Sequence, residues 1–223
     1  MSQGKLHGKV AIITGGGGGF GKGIAVEFKK QGAEVIIADF AEDVGQKTAG
    51  ELKCEFKKAD VTKKSDWEAL AKFADEKFGR LDVVVNNAGT TYRNKVREVQ
   101  RFVWPGLVGI ALLDVGADTK HHNNKQPTSE VTDEDFDKVF TVNVRSIYYS
   151  ANVIVPYMQK KGNGGSFINI ASTAGLRPRG GLTWYNASKA AVINASKSMA
   201  VEYAKDNIRF NSVCPVVGMG TGL

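Results

Sequence analysis

Short apolar runs along the chain alternate with longer stretches in which apolar residues recur every three or four positions. The short runs have the length and the β-branched composition of buried strands, whereas the longer stretches have the period of helices that cover one apolar face. Strands are therefore predicted at residues 9–14, 34–39, 54–58, 82–86, 165–171 and 208–213. Helices are predicted at residues 21–31, 41–52, 64–78, 133–161 and 185–205.

This alternation of strands and helices predicts the α/β class, with a doubly wound parallel sheet that helices cover on both faces. The chain has 223 residues, of which 42% are apolar, so it can bury one sizeable core. We therefore expect a single domain spanning residues 1–223.

A glycine tract follows the first predicted strand. Residues 15–19 and 21 are all glycine, and a helical pattern begins directly after them. A backbone without β-carbons can turn sharply and approach a pyrophosphate, whose charge is favoured at the amino end of the next helix. The tract is a candidate phosphate-binding loop, and the alternative is a flexible low-complexity linker.

An aspartate ends the second predicted strand. Asp39 comes 24 residues after Gly15, close to the spacing at which an acid accepts hydrogen bonds from an adenosine ribose. Phe40 follows it, and the glycine tract contains no Arg or Lys that could neutralise the 2′-phosphate of NADP. Asp39 therefore favours NAD over NADP. The alternative is that Asp39 caps the helix predicted to start at Ala41.

A tyrosine and a lysine four residues apart lie in the run Tyr185-Asn-Ala-Ser-Lys189, and Ser172 precedes this run by thirteen residues. On a helix, Tyr185 and Lys189 share one face, where a lysine cation can lower the pKa of a phenol. Reduction of a carbonyl builds negative charge on its oxygen, which needs a hydrogen-bond donor and an acid. Ser172 and Tyr185 are the candidates. The alternative for the tyrosine and lysine is a chance pair on a solvated helix face.

Four motifs in this order resemble those of the classical short-chain dehydrogenase/reductase family, over residues 5–95 and 127 to about 217. The motifs are Thr14-Gly15-x-x-x-Gly19-x-Gly21, Asp60-Val61, Asn86-Asn87-Ala88-Gly89 and the catalytic set Asn143, Ser172, Tyr185 and Lys189. The sequence is similar to 3-oxoacyl reductases and to alcohol or sugar dehydrogenases of that family. The resemblance implies a Rossmann fold, a nicotinamide cofactor and a small alcohol or carbonyl substrate.

By this resemblance Tyr185 donates or accepts the proton, and Lys189 lowers the pKa of the phenol and holds the nicotinamide ribose. Ser172 hydrogen-bonds the substrate oxygen, and Asn143 supports a water relay. The alternatives are that Ser172 only caps a turn and that Asn143 only satisfies a helix kink. The resemblance further implies cofactor contacts from Gly15, Gly19, Phe20, Gly21, Asp39, Asp60, Val61, Asn87, Ala88, Gly89, Tyr185, Lys189, Pro215 and Val217.

The charge and the cysteine content argue against several other classes of function. The net charge is +7, but the lysines are scattered among carboxylates and form no basic run with aromatic residues, so no nucleic-acid partner is expected. Cys54 and Cys214 form no metal-binding or disulfide pattern, and the histidines lack partner ligands at metal spacing. No signal peptide or membrane span is predicted. We therefore expect a metal-free cytoplasmic protein.

Residues 96–126 look like an insertion of thirty-one residues. Family members have a short connection here, and the apolar residues of the segment keep neither a helical nor a strand period. Our hypothesis is a translated, unspliced intron, because the segment begins with Val, whose codons start with GT, and ends with Gln, which CAG encodes. The alternative is a genuine loop that binds substrate or another subunit.

The sequence ends at Leu223, before the substrate-covering helices and the last strand that the family resemblance leads us to expect. Without them we expect a less stable sheet and a more open substrate pocket. Homo-oligomers are expected for the family, but their last strand often forms the contact. Two function classes follow: an NAD-dependent alcohol dehydrogenase or carbonyl reductase, and a dinucleotide-binding protein with little or no catalysis.

The intron hypothesis predicts that GT begins and AG ends the DNA encoding residues 96–126, and that some transcripts lack these codons. Sequencing the locus and its transcripts checks this. Absence of either dinucleotide would eliminate the hypothesis.

Overall fold

The computed structural model of the chain describes residues 4–92 and 126–216. Its six strands form one parallel sheet in the order β3-β2-β1-β4-β5-β6. The strands are β1 (Val10–Thr14), β2 (Glu34–Asp39), β3 (Glu55–Lys58), β4 (Val83–Asn86), β5 (Gly165–Ile170) and β6 (Ile208–Val213). Each begins and ends within one residue of its predicted bounds, which confirms the predicted doubly wound parallel sheet.

The helices connect successive strands and cover both faces of this sheet. They are α1 (Gly19–Lys30), α2 (Glu42–Leu52), α3 (Lys64–Phe78), α4 (Asp133–Phe140), α5 (Ser146–Lys161) and α6 (Thr183–Glu202). Short 3-10 turns lie at Thr128–Glu130, Thr173–Gly175 and Ala204–Asp206. The helix predicted over residues 133–161 is two helices, because a π-helical turn at Thr141–Arg145 separates α4 from α5.

The core consists of two apolar layers, one on each face of the sheet. Alternate residues of a strand point to opposite faces, so Ile12 packs toward α3 and α5, whereas Ile13 packs toward α1 and α2. A smaller cluster joins α5 to α6 through Ile147, Val192 and Ile193. Every residue of β1 is buried, as expected for a central parallel strand.

The strand order reverses at β1, which has β2 on one side and β4 on the other. The connections that leave these neighbouring strands diverge and open a crevice at their carboxyl ends. The loop after β1 and the turn after β4 therefore border the same crevice.

The segment at residues 96–126 that we predict to be an insertion lies outside the described residues, except for Gln126. The insertion therefore stays a prediction.

A buried carboxylate lies at the amino ends of the central strands, opposite the crevice. Asp82 accepts hydrogen bonds from the Arg80 guanidinium at 2.6 and 2.8 Å and from the Val10 N–H at 3.0 Å, and Lys9 lies 3.3 Å away. Burial by itself would raise the pKa of Asp82, but these partners lower the pKa overall. The ionised carboxylate therefore ties the start of β1 to the start of β4.

We expect Asp82→Asn to lower the free energy of unfolding at pH 7 by about 2 kcal/mol, because charge-assisted hydrogen bonds are lost. The folded-state pKa lies below the unfolded value of about 3.9, so this stabilisation is present above that pH and is lost as the pH falls through the folded-state pKa. In urea titrations, the difference between wild type and variant should shrink as the pH falls below about 4. Asp137→Asn changes an exposed carboxylate and should leave stability close to wild type. Equal stability of wild type and Asp82→Asn at pH 7 would contradict this role.

Candidate active site

The glycine tract forms a closed turn between β1 and α1 rather than a flexible linker. The Gly15 N–H donates to the Ala38 carbonyl at 2.8 Å, and Gly15 has a φ of +61°, which favours glycine. A side chain at Gly21 would collide with the Gly15 carbonyl and the Asn87 side chain. The first turn of α1 can therefore approach the strand end closely and present its free N–H groups to an anion.

Asp39 closes this loop from the neighbouring strand. Its Oδ2 accepts from the Gly17 N–H at 2.9 Å, and its Oδ1 accepts from the Ala41 N–H at 2.9 Å. Ala41 is the N-cap residue of α2, so Asp39 bonds the residue before the helix and not an N–H of its first turn. Within residues 4–92 and 126–216, no Lys or Arg forms a salt bridge with Asp39.

The turn after β3 contains Asp60 and Val61. Asp60 accepts from the Thr62 hydroxyl at 2.6 Å and from the Thr62 N–H at 3.0 Å. Burial favours a higher pKa for Asp60, but these bonds and the nearby Lys63 lower the pKa overall. The Val61 carbonyl accepts from the indole N–H of Trp67 at 3.1 Å, which fixes the turn against α3.

The turn after β4 is hydrogen-bonded to the glycine loop. The Thr14 hydroxyl accepts from the N–H groups of Asn87 at 3.0 Å and Ala88 at 3.1 Å. The Asn87 side chain donates to the carbonyls of Thr14 at 2.9 Å and Gly15 at 3.1 Å. The Asn87 side chain therefore holds the glycine loop in place by binding its backbone carbonyls. The sequence contains this threonine in the first motif, but spacing alone does not reveal its partners.

Tyr185 and Lys189 lie on one face of α6, as predicted. The Lys189 Nζ is 5.8 Å from the centroid of the Tyr185 ring and donates to the Ile170 carbonyl at 2.8 Å. Lys189 is only 5% exposed, and burial lowers its pKa to about 8. Its ammonium group therefore remains mostly protonated at neutral pH.

Burial raises the pKa of the Tyr185 phenol, and the Ser172 hydroxyl offsets part of that rise. The Lys189 Nζ is directed to the Ile170 carbonyl. The predicted lowering of the phenol pKa by Lys189 stays a prediction. Without a ligand, Tyr185 is a protonated phenol at neutral pH.

Ser172 follows β5 and caps the 3-10 turn Thr173–Gly175. Its Oγ accepts from the Ala174 N–H at 3.1 Å, which leaves the hydroxyl hydrogen free to be donated elsewhere. The capping alternative and a role as hydrogen-bond donor are therefore compatible. The Pro215 carbonyl accepts from the Thr173 N–H at 3.1 Å and holds the turn after β6 beside this serine.

Asn143 lies in the π-helical turn and is 2% exposed. Its Nδ2 donates to the Thr90 carbonyl at 2.9 Å and to the Ser188 hydroxyl at 3.0 Å, and its Oδ1 accepts from the Thr90 N–H at 2.8 Å. The side chain thus connects the segment after Gly89 to α6 and does not bond to its own helix. The roles of Thr90 and Ser188 were missed from the sequence, although Ser188 directly precedes Lys189.

The remaining predicted residues border the same crevice or lie outside the described residues. Gly89 is close to Asn143 and Lys189, since a β-carbon on it would be 3.4 Å from both the Asn143 Oδ1 and the Lys189 Nζ. Gly19 and the partly exposed Phe20 begin α1. Val217 lies outside the described residues.

An apolar cavity of about 370 Å³ lies elsewhere, between α5 and α6. Its walls include Tyr148, Val155 and Met199, and no residue of the predicted site lines it. Among residues 4–92 and 126–216, no cluster of three or more His, Cys, Asp or Glu side chains could hold a metal ion. No helix in this part of the chain is long and apolar enough to span a membrane.

The sheet, its glycine loop and the groups around its switch point define a Rossmann-like protein with the side chains of an oxidoreductase. A family model described as short chain dehydrogenase matches residues 9–115 and 112–222. The chain belongs to the short-chain dehydrogenase family, as the motifs predicted. The two matched ranges meet inside residues 96–126, where the insertion is predicted.

Individual relatives agree with this assignment. The chain is 38% identical over 218 residues to 4-formylbenzenesulfonate dehydrogenase of Comamonas testosteroni, covering 96% of this chain and 74% of the relative. It is 32% identical over 217 residues to galactitol 2-dehydrogenase of Agrobacterium fabrum, covering 96% and 72%. The 3-ketoacyl-(acyl-carrier-protein) reductase of Brucella melitensis, solved in complex with NADH, superimposes with a TM-score of 0.79 at 34% identity, covering 95% and 77%.

Proposed function

We propose that the protein transfers hydride between NAD(H) and a secondary alcohol or ketone, with Tyr185 as general acid and base. The observation that carries this proposal is the approach of three groups at the carboxyl end of the sheet. The Lys189 Nζ lies 5.8 Å from the Tyr185 ring centroid and donates to the Ile170 carbonyl, two residues before Ser172. An acid, a cation and a hydroxyl donor beside a dinucleotide crevice are what carbonyl reduction requires.

The residues around the crevice fit a nicotinamide dinucleotide. The backbone at Gly21 lies too close to the Gly15 carbonyl for a side chain, so the glycine loop can approach a pyrophosphate closely. The first N–H groups of α1 favour the negative charge of the pyrophosphate. Asp39 would accept from the adenosine ribose, Asp60 and Val61 would contact the adenine, and residues 87–89 would border the nicotinamide. The bound cofactor supplies the hydride, which no protein side chain can supply.

The charge of Asp39 supports NAD over NADP. Both oxygens of Asp39 already accept a backbone N–H, yet each retains a lone pair for a ribose hydroxyl. A 2′-phosphate at this position would meet a carboxylate that has no salt-bridge partner among the described residues. Phe40, the next residue, is 69% exposed and carries no charge.

The protein side chains would then handle the proton. In the reductive direction the protonated Tyr185 phenol donates to the substrate oxygen, while the Ser172 hydroxyl hydrogen-bonds that same oxygen. The phenolate left behind is stabilised by the Lys189 ammonium, because opposite charges attract strongly in a poorly solvated site. Alcohol oxidation runs the same steps in reverse.

The other function class, a dinucleotide-binding protein with little or no catalysis, predicts binding without turnover. The proposed function includes the small alcohol or carbonyl substrate that the sequence predicts. That the protein forms a homo-oligomer and that it is cytoplasmic stay predictions.

We expect Tyr185→Phe to lower kcat by a factor of about 100 to 10,000, because the general acid is lost while the ring remains. The assay follows NADH absorbance with a panel of ketones and secondary alcohols. Tyr148→Phe removes a hydroxyl from a residue that is 60% exposed and outside the site, so it should retain wild-type activity. Equal rates for wild type and Tyr185→Phe would remove the enzyme proposal, and NADH binding without turnover would support the alternative.

For the cofactor preference, we expect NADH to raise the unfolding temperature of the wild type more than NADPH does. Asp39→Asn should reduce the difference between the unfolding temperatures measured with NADH and with NADPH, because the variant has no carboxylate that repels the 2′-phosphate. Thermal unfolding with each cofactor, relative to the same variant without ligand, measures the effect. Asp43→Asn, which changes a nearby exposed carboxylate, should keep the wild-type preference. A larger effect of NADPH on the wild type would overturn this assignment.

A further inference from the structure

Two serines of α6 make nearly the same buried hydrogen bonds at different distances from the site. Ser188 is 0% exposed, accepts from the Asn143 Nδ2 at 3.0 Å and donates to the Tyr185 carbonyl at 2.7 Å. Ser196 is 1% exposed, accepts from the Asn169 Nδ2 at 2.9 Å and donates to its own helix at 2.7 Å. The two hydroxyls differ mainly in which turn of the helix they hold.

The link through Ser188 extends from α6 to the turn after β4. Asn143 binds both the N–H and the carbonyl of Thr90, at 2.8 and 2.9 Å. Thr90 follows Gly89, which borders the crevice. A continuous set of hydrogen bonds therefore joins the Thr90 backbone, Asn143, Ser188 and the Tyr185 backbone.

The first turn of α6 has no side-chain cap and is held by contacts with its surroundings, among them the Asn186 side chain on the Arg179 carbonyl at 2.8 Å and the Thr183 hydroxyl 2.6 Å from that of Thr128. The N-cap residue of α6, Leu182, forms no side-chain cap, and the first turn contains no acidic residue. A helix end without a capping side chain is prone to fray. Tyr185 lies in this turn, so the position of its phenol depends on contacts from outside the helix.

We propose that Ser188 is a positioning residue for the reaction, holding the first turns of α6 and the Tyr185 phenol in register with the turn after β4. This inference rests on the proposed function. The Ser188 hydroxyl contacts the Tyr185 backbone and not the reacting atoms, so it acts through the tyrosine. A small displacement of an acid from its substrate lowers the rate strongly, which is why such a link affects turnover.

The experiment compares Ser188→Ala with Ser196→Ala as the matched control. Both variants lose one buried hydroxyl from the same helix and should lose similar thermal stability. Ser188→Ala should lower kcat about tenfold and leave the KM for NADH within about twofold, because the glycine loop is untouched. Ser196→Ala should keep kcat within about twofold of wild type.

Hydrogen exchange provides a readout that needs no activity. In Ser188→Ala without cofactor, the amides of residues 186–189, the first that are hydrogen-bonded within α6, should exchange about tenfold faster, because the first turns open more often. Ser196→Ala should leave these amides unchanged. Asn143→Ala breaks the same link from the other side, so it should also accelerate exchange at residues 186–189 and serves if Ser188→Ala does not fold.

A double variant that combines Ser188→Ala with Asn143→Ala tests whether the serine acts through Asn143. The kcat of this double variant should match that of Asn143→Ala alone, because both substitutions break the same link. Wild-type kcat or wild-type exchange at residues 186–189 in Ser188→Ala would overturn the inference, as would losses that multiply in the double variant. Lack of turnover in the wild type would instead overturn the proposed function, and the exchange comparison would still decide whether the link holds the helix.

Discussion

The site depends on the hydrogen bonds that the Thr14 hydroxyl makes across the switch point of the sheet. This group ends β1 and binds the N–H groups of Asn87 and Ala88, which begin the turn after β4. The Asn87 side chain returns the contact to the carbonyls of Thr14 and Gly15. These bonds hold together two loops that diverge toward opposite sides of the sheet, and they thereby set the width of the crevice between the loops.

Burial shapes the acid–base groups before any ligand arrives. It raises the pKa of Tyr185 and lowers that of Lys189, so it disfavours the charged form of each residue separately. The same poor solvation strengthens the attraction between opposite charges. In the proposed reaction, the Lys189 ammonium would therefore stabilise the phenolate that forms at Tyr185.

Local patterns in the sequence were sufficient to predict most of the fold. Strand and helix bounds follow from apolar periodicity, and the glycine tract follows from the strand and helix that flank it. The predictions failed where contacts connect distant residues. Asn143 bonds to Thr90, 53 positions away, and to Ser188, 45 positions away, and neither partner has a local signal. Spacing reveals the lysine beside Tyr185 but not the burial that raises the pKa of the phenol.

The π-helical turn at Thr141–Arg145 has a consequence for how this chain tolerates change in length. A π turn accommodates one residue more than the α-helical hydrogen-bonding pattern does. Deleting a single residue here would restore regular α-helical bonding, and α4 and α5 would keep nearly the same phase because the π turn absorbs the additional residue. Asn143 lies within this turn, so the deletion would instead move its side chain away from Thr90 and Ser188. The irregularity therefore sets the position of one side chain between two otherwise regular helices, and regularising this stretch would remove that link.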